Sequence, residues 1–456
     1  MVLQTRLFLA LFWATAILCA QTPKQSYLDW TSLPFSIEEL SKRRLALVKN
    51  LQDRGITGSV LIPSRDGFST NETFRQLDDF YYFTGLELPN SILVLDITSN
   101  WWAVYGPEED FRFENKARPN DFPGRALIND PGIETVSGLS LRAIEEFSVL
   151  MDQYASNGTT VIVNGGNTKE LASWPQDYFS TPTPIQILLR SLEEKHPGLS
   201  YRNCFSEVAS IRMIKSEAEI ALMRKSTAIN IAGIKKAANA VRAGIDERYL
   251  EGVLEGSYKK NGAQRLAFGS IIKSGPNSLW PWRILATHYN RRNRNLENGD
   301  LVIMDVGCEY NNYVSDVGRT FPVSGKFTEM QSELLNMQVE ISDAIIAYIK
   351  PGVTFSDLRK LTDEIIPEEA KPYMQANLFF GHHLGLSVGD PSLDEATLEA
   401  GMIFTVEPWY YNHEDEIAVF TEDVVLVTED GCEVLSKDLP RTPEDLERLM
   451  HTNNDY

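Results

Sequence analysis

Four acidic residues stand in stretches that otherwise read as buried strand. The segment DLVIMDVGCEYNNYVSDVGRT, residues 300–320, has two apolar runs joined by a turn, with Asp305 on one run and Asp316 on the other. TVEPWYYNHEDEIAVFTEDVV repeats the arrangement with Glu407 and Glu422 on two runs joined by a polar loop. A carboxylate inside a sheet is costly unless it is paired or bound to a metal. With the first turn centred between Tyr310 and Asn311, and the second between Glu414 and Asp415, the two acids of each pair are equidistant from their turn. Each pair then faces across a hairpin, with Cβ atoms about 4.5–5.5 Å apart. Anions so placed repel. Arg319 is the one evident cation on the first hairpin, and the strands of the second carry none. Two divalent ions would neutralise all four carboxylates, activate a water and polarise a carbonyl, which is the chemistry of metal-assisted hydrolysis.

An imidazole ligand has candidates. FFGHHLGLSVGD places His382 and His383 in a glycine-rich segment between the two acidic hairpins, in a chain with 6 histidines. His288 lies upstream in LATHYN. Hard oxygen ligands joined by one imidazole favour manganese and also admit zinc, cobalt or iron.

These residues need a sheet to hold them. The second half of the chain supplies antiparallel strand signals in FGSIIKSG, DLVIMDVG, YVSDVGRTF, MIFTVEP and TEDVVLVTEDG, interrupted by a helix predicted over 330–349 and stopped by Pro351-Gly352. A capping box of Ser216 and Glu219 opens a long amphipathic helix predicted to end at Gly244, and another helix follows over 247–259. This half reads as α+β, with helices covering a curved sheet. The first half reads as a smaller α/β domain. A helix capped by Ser36 and Glu39 leads to strands at 59–63, 91–97, 101–105 and 160–163, with helices at 141–154 and 185–194.

Composition narrows the classes. At 456 residues the chain is long enough for more than one domain, and 43% hydrophobic with 23% charged residues is globular. A net charge of -20 without a basic patch argues against a nucleic-acid partner. The opening MVLQTRLFLALFWATAILCAQ has an early cation and then an apolar run too short to span a membrane, the layout of a signal peptide over 1–20. Export to a secreted or periplasmic location is therefore expected, with no membrane attachment after cleavage. Cys204, Cys308 and Cys432 would then remain, too few and too scattered for a disulfide framework. Asn71 and Asn157 head glycosylation sequons.

The first metal segment through VSGKF, together with FTVEP and TEDVVLVTEDG, resembles the metallopeptidases of the pita-bread fold (peptidase family M24), closest to the Xaa-Pro aminopeptidases (aminopeptidase P) and prolidases. DDFYYFTGLELPNSILVL is similar to the smaller N-terminal domain of the aminopeptidase P group. The resemblance implies a creatinase-like N-terminal domain over 21–205 and a catalytic pita-bread domain over 206–456. It implies dinuclear ligands at Asp305, Asp316, His382, Glu407 and Glu422. His382 is favoured over His383 because the family's ligand histidine stands three places before a glycine, here Gly385. Glu407 would also shuttle a proton to the leaving nitrogen, and His288 would contact substrate and stabilise the tetrahedral intermediate.

The implied partners are a proline-containing peptide substrate and further copies of the chain in a dimer or tetramer. The expected activity is removal of an N-terminal residue next to proline, or a prolidase reaction. Cleavage of a non-peptide amide or other C–N bond, and non-catalytic peptide binding, are the alternatives. The sequence departs from the family pattern at Gly389, Phe420 and Trp409, where the family usually has histidine, arginine and glycine. It also carries Trp280 and Trp282 ahead of His288 as a possible apolar wall.

Overall fold

The computed structural model describes residues 33–67, 73–108, 128, 131–166, 182–280, 293–374, 381–393 and 396–452. The expected signal peptide, the Asn71 sequon, Trp282 and His288 lie outside the described residues. The chain divides into two compact units, Met1–Cys204 and Phe205–Tyr456. Among the described residues, no helix is long and apolar enough to cross a membrane. Cys308 and Cys432 are free thiols.

The first unit is built on one mixed sheet. Its strands are β1 (Ser59–Pro63), β2 (Ile92–Asp96), β3 (Trp101–Gly106), β4 (Ser140–Ala143), β5 (Thr160–Val163) and β6 (Ser200–Asn203). They lie in the order β4-β3-β2-β1-β5-β6. The central strand β1 is antiparallel to β2 and parallel to β5. Alternate residues Leu61, Val94, Ala103 and Val161 meet Phe147, Met151 and Tyr154 of the helix Ile144–Asn157 in one core. That helix starts later than its sequence pattern suggests, because Ser140–Ala143 pairs in parallel with β3. The first helix, Ile37–Asp53, is capped by Ser36, which accepts from Glu39 N at 3.2 Å. The Glu39 carboxylate turns to Arg43 at 2.5 Å rather than back to the cap.

Among the described residues of the second unit, every strand ladder is antiparallel. The strands are β7 (Arg265–Leu266), β8 (Ile271–Ser274), β9 (Leu301–Val306), β10 (Cys308–Tyr310), β11 (Tyr313–Val314), β12 (Val317–Pro322), β13 (Ile403–Val406), β14 (Trp409–Asn412), β15 (Ile417–Phe420), β16 (Asp423–Val427) and β17 (Cys432–Val434). They form the ladders β12-β9-β8, β11-β10-β7, β13-β16-β17 and β14-β15. The helix Glu217–Ala238 has a complete capping box from Ser216 and Glu219. It stops short of Gly244, whose N–H is instead drawn to the carbonyl of Leu296. Helices Phe205–Arg212, Glu247–Lys260, Glu329–Tyr348, Phe355–Ile365 and Pro443–Met450 also belong to this unit.

The two acidic hairpins differ in register from each other and, in one case, from the sequence reading. Tyr310 pairs with Tyr313, so Asn311 and Asn312 alone make the first turn. Their φ values of 48° and 66° are those of a type I′ turn, which asparagine tolerates. The turn centre thus falls one residue later than expected, and Asp305 pairs with Gly318 instead of Asp316. Asp316 is the diagonal neighbour, on the same face two places along. In the second hairpin Val406 pairs with Asp423 and Trp409 with Phe420. The same count on both sides sets Glu407 opposite Glu422, as the sequence suggests.

Candidate metal centre

The two hairpins are joined through Gly318. Its backbone exchanges hydrogen bonds with Glu422, N to O at 3.3 Å and O to N at 3.0 Å. Gly318 therefore stands between Asp305 on one neighbouring strand and Glu422 on the other. Glu407 lies across from Glu422 at the end of β13. Beyond β13 the segment around His382 adds a further strand-like edge, with Thr405 N donating to the His382 carbonyl at 2.9 Å.

All five side chains nominated from the sequence as ligands come together. His382 Nε2 lies 3.6 Å from Asp316 Oδ2 and 3.3 Å from Glu407 Oε1. One ligand atom from each of Asp316, His382 and Glu422 lies within 4.8 Å of the others. Asp305 is within hydrogen-bonding reach of Asp316, and Asp316 of Glu422. The four acids are buried, whereas the His382 side chain is 33% exposed, so the cluster opens to solvent on its side. His382 Nδ1 is 3.3 Å from the His383 carbonyl. With Nδ1–H donated there, Nε2 turns its lone pair toward the acids, the tautomer a metal ligand needs.

His383 goes the other way, because adjacent residues on an extended segment face opposite sides. Its ring packs at 4.8 Å from Phe355 and 5.9 Å from Phe404. Both of its ring nitrogens are buried without a hydrogen-bond partner, and burial pushes its pKa down to about 3. A side chain in this position does not stand in for a second active-site histidine. Gly389, where the resembled family usually has that histidine, is exposed with φ +75° and open space where a Cβ would be. The glycine-rich segment is tied down by Asp390, which is buried against Arg212 at 2.5 Å and Lys215 at 3.4 Å.

The electrostatics call for a cation. Burial, then the charge of Glu407, pushes the pKa of Asp305 well above the carboxylate range. Burial, then Asp305 and Glu407, does the same to Asp316, and burial, then Asp316, to Glu422. Asp316 Oδ1 and Glu422 Oε2 are buried with no hydrogen-bond donor. Among the described residues, no lysine or arginine pairs with any of the four acids.

Arg319, the one evident cation of the first hairpin, is committed elsewhere. It is fully buried and donates to the carbonyls of Glu422 at 2.5 Å, Gly318 at 2.7 Å and Pro440 at 2.8 Å, and to Asp423 Oδ1 at 2.7 Å. It clamps the backbone that carries Glu422 and leaves the carboxylate charge alone. Buried acids with orphaned oxygens, one imidazole and no cation of their own form a donor set that fits divalent metal ions.

Two features of the site were not visible in the sequence. Thr405 Oγ1 donates to Glu407 Oε1 at 2.9 Å, and Trp409 Nε1 donates to Glu407 Oε2 at 3.2 Å. Burial, then the charges of Asp305 and Glu407, pushes up the Tyr411 phenol, which marks it as a neighbour of the cluster. Both follow from period-two spacing along β13 and β14, a signal available once the register is known. Trp280 is 53% exposed and stacks on His413 at 4.9 Å, at the tip of the second hairpin.

Comparison with known proteins is consistent with this geometry. Residues 221–429 match metallopeptidase family M24, and residues 40–112 match the aminopeptidase P N-terminal domain. The chain is 29% identical to the Xaa-Pro aminopeptidase of Escherichia coli, with 91% of this chain and 98% of that protein covered. It is 32% identical to the Xaa-Pro dipeptidase of Pyrococcus furiosus over 55% of this chain and 70% of that protein. A solved structure of zinc-substituted E. coli aminopeptidase P in complex with product superimposes with a TM-score of 0.73 at 25% identity, over 91% of this chain and 98% of that one.

Proposed function

Because the chain belongs to metallopeptidase family M24 and is thus a divalent-metal peptidase of the Xaa-Pro aminopeptidase and prolidase kind, we propose that it removes an N-terminal residue preceding proline. The observation that carries this reading is the meeting of Asp305, Asp316, His382, Glu407 and Glu422 with no lysine or arginine among the described residues to neutralise them. These five would hold two divalent ions, manganese first by ligand type, with zinc, cobalt or iron admissible. The ions, when bound, supply an activated water and polarise the scissile carbonyl.

The chain's own groups do the rest. Glu407, with one oxygen 3.3 Å from His382 Nε2, would take a proton from the attacking water and pass it to the departing nitrogen. The buried walls around Asp305, Asp316 and Glu422 keep bulk water from screening the charge that develops on the substrate. His288 would assist from the substrate side. The aminopeptidase form is favoured over the dipeptidase form by the full-length likeness to Xaa-Pro aminopeptidase, N-terminal domain included. Residues 1–20 would direct export before removal, and the mature chain would associate with its own copies.

The test is elemental analysis of purified protein joined to digestion of a peptide library. Bound divalent metal with cleavage after the first residue of Xaa-Pro peptides is expected. A folded, metal-loaded preparation that leaves every such peptide intact would sink the reading. Gly389 and Phe420 favour one second reading, a non-peptide amide substrate, so simple amides belong in the same panel. N-terminal sequencing of the exported protein, expected to begin at Gln21, tests the leader.

A further inference from the structure

Glu407 is held at both oxygens by neutral donors, and one of these donors sits on an unusual mount. Trp409 is 4% exposed, and its indole N–H reaches Glu407 Oε2 at 3.2 Å. Its ring stacks on Phe420, its partner in the hairpin register, with centroids 3.5 Å apart and planes 19° apart. Tyr411, two places along the same strand, stacks on the same indole at 5.2 Å and 9°. Ile303 on β9 closes the cluster.

Space for Phe420 comes from Gly318: a Cβ built there would lie 1.9 Å from Phe420 Cε1, an overlap no side chain can make. A path of packed groups therefore runs from the missing side chain at Gly318, beside Asp305 and Glu422, through Phe420 to the indole N–H.

We propose that Trp409 is a positioning residue for Glu407, and that the Phe420–Trp409–Tyr411 stack is the rigid support that aims its N–H. This rests on the reading of Glu407 as metal ligand and proton carrier. A carboxylate that does both must present a defined oxygen to each task. Thr405 fixes Oε1 and Trp409 fixes Oε2, so the carboxylate plane is set before any ion or substrate arrives. A neutral donor orients without neutralising, which an arginine or lysine in the same place would not do. The stack supplies stiffness because a buried indole in contact with both Phe420 and Tyr411 has few rotamers open to it.

The experiment compares wild type with Trp409→Phe and with 3-benzothienylalanine placed at position 409, which keeps the ring shape and lacks the N–H. Manganese is titrated calorimetrically into the metal-stripped proteins, and kcat and KM are measured on an Xaa-Pro peptide. Both variants are expected to bind manganese about tenfold more weakly. Both are also expected to lose about tenfold in kcat with KM within about twofold of wild type, the pattern of an interaction used in the transition state. Wild-type manganese affinity and kcat in a folded N–H-free variant would overturn the proposal and leave Trp409 as packing. Should Phe fail to fold, the benzothienyl protein decides alone. Absence of manganese binding in the wild type would instead overturn the reading of the site itself, and the proposal with it.

Discussion

The first acidic hairpin is mounted on charge and the second on aromatic rings. Around β9 and β12, Arg319 gathers the carbonyls of Gly318, Glu422, Leu439 and Pro440 and the carboxylate of Asp423. The second hairpin rests on Trp409, Tyr411 and Phe420, and its Glu407 is held by a hydroxyl and an indole. The two solutions share one property. Each fixes the acids in place while leaving their negative charge unopposed, because the guanidinium is committed to Asp423 and the second set of donors is neutral. Holding anions together without cancelling them makes sense where a cation is to be bound, since any permanent positive charge would compete with it.

The comparison breaks first at the acids themselves. If the two hairpins serve one centre, Asp316→Asn and Glu422→Gln should be equally damaging although they sit on different mounts. Each is expected to lower turnover about a thousandfold, the loss of several kcal/mol of transition-state stabilisation, and to reduce bound metal in elemental analysis. Survival of activity in one of the two would mean that the hairpins work separately.

Next comes the contrast between mounts. Arg319→Met leaves Asp423 buried without its main partner and should cost about 3–5 kcal/mol in denaturant unfolding. The 3-benzothienylalanine variant at position 409, which keeps the ring volume, should cost only about 1 kcal/mol of stability while lowering kcat. Equal stability losses would erase the distinction drawn between a structural clamp and a positioning donor.

A pH series sharpens it further. Asp305, Asp316 and Glu422 have folded pKa values raised by burial and by one another. For such groups, stability of the metal-stripped protein is fully present below the ordinary carboxylate range of about 4 and is lost as pH rises through the raised values. Bound metal removes that loss. Melting temperatures of stripped and manganese-loaded protein should therefore draw apart as pH rises above the ordinary carboxylate range of about 4. A gap that does not change with pH would contradict the charge cluster.

The smallest expected effects are in the two hairpin loops. Asn312→Ala forces an ordinary side chain to hold φ 66° and should cost about 1 kcal/mol, with kcat unchanged. The open loop of the second hairpin should tolerate Glu414→Ala without measurable loss.

Much of this was legible before any coordinates. Strand spans such as Thr160–Val163 and Ser59–Pro63 stand out because apolar β-branched runs end at turn residues. The second hairpin's register could be counted because its loop is symmetric about its midpoint. The first could not, because "YNNY" admits two turn centres one residue apart, and only the positive φ of both asparagines decides between them. β4 and β6 were hidden because edge strands such as Ser200–Asn203 carry little apolar signal. The choice of His382 over His383 came from the family resemblance, through Gly385 three places on; residue spacing by itself does not say which face of the segment meets the acids. The hydrogen bond from Trp409 to Glu407 was hidden for the same reason: residues two apart on a strand share a face only once the strand is known to continue.

The central claim is that five side chains bind paired divalent cations at one point. Anomalous scattering from crystals of the manganese-loaded protein, collected at the manganese edge, tests it most directly. Two peaks within about 2.0–2.3 Å of oxygens from Asp305, Asp316, Glu407 and Glu422, one of them also beside His382 Nε2, are predicted. A featureless map between those carboxylates in a folded, manganese-soaked crystal would contradict the claim.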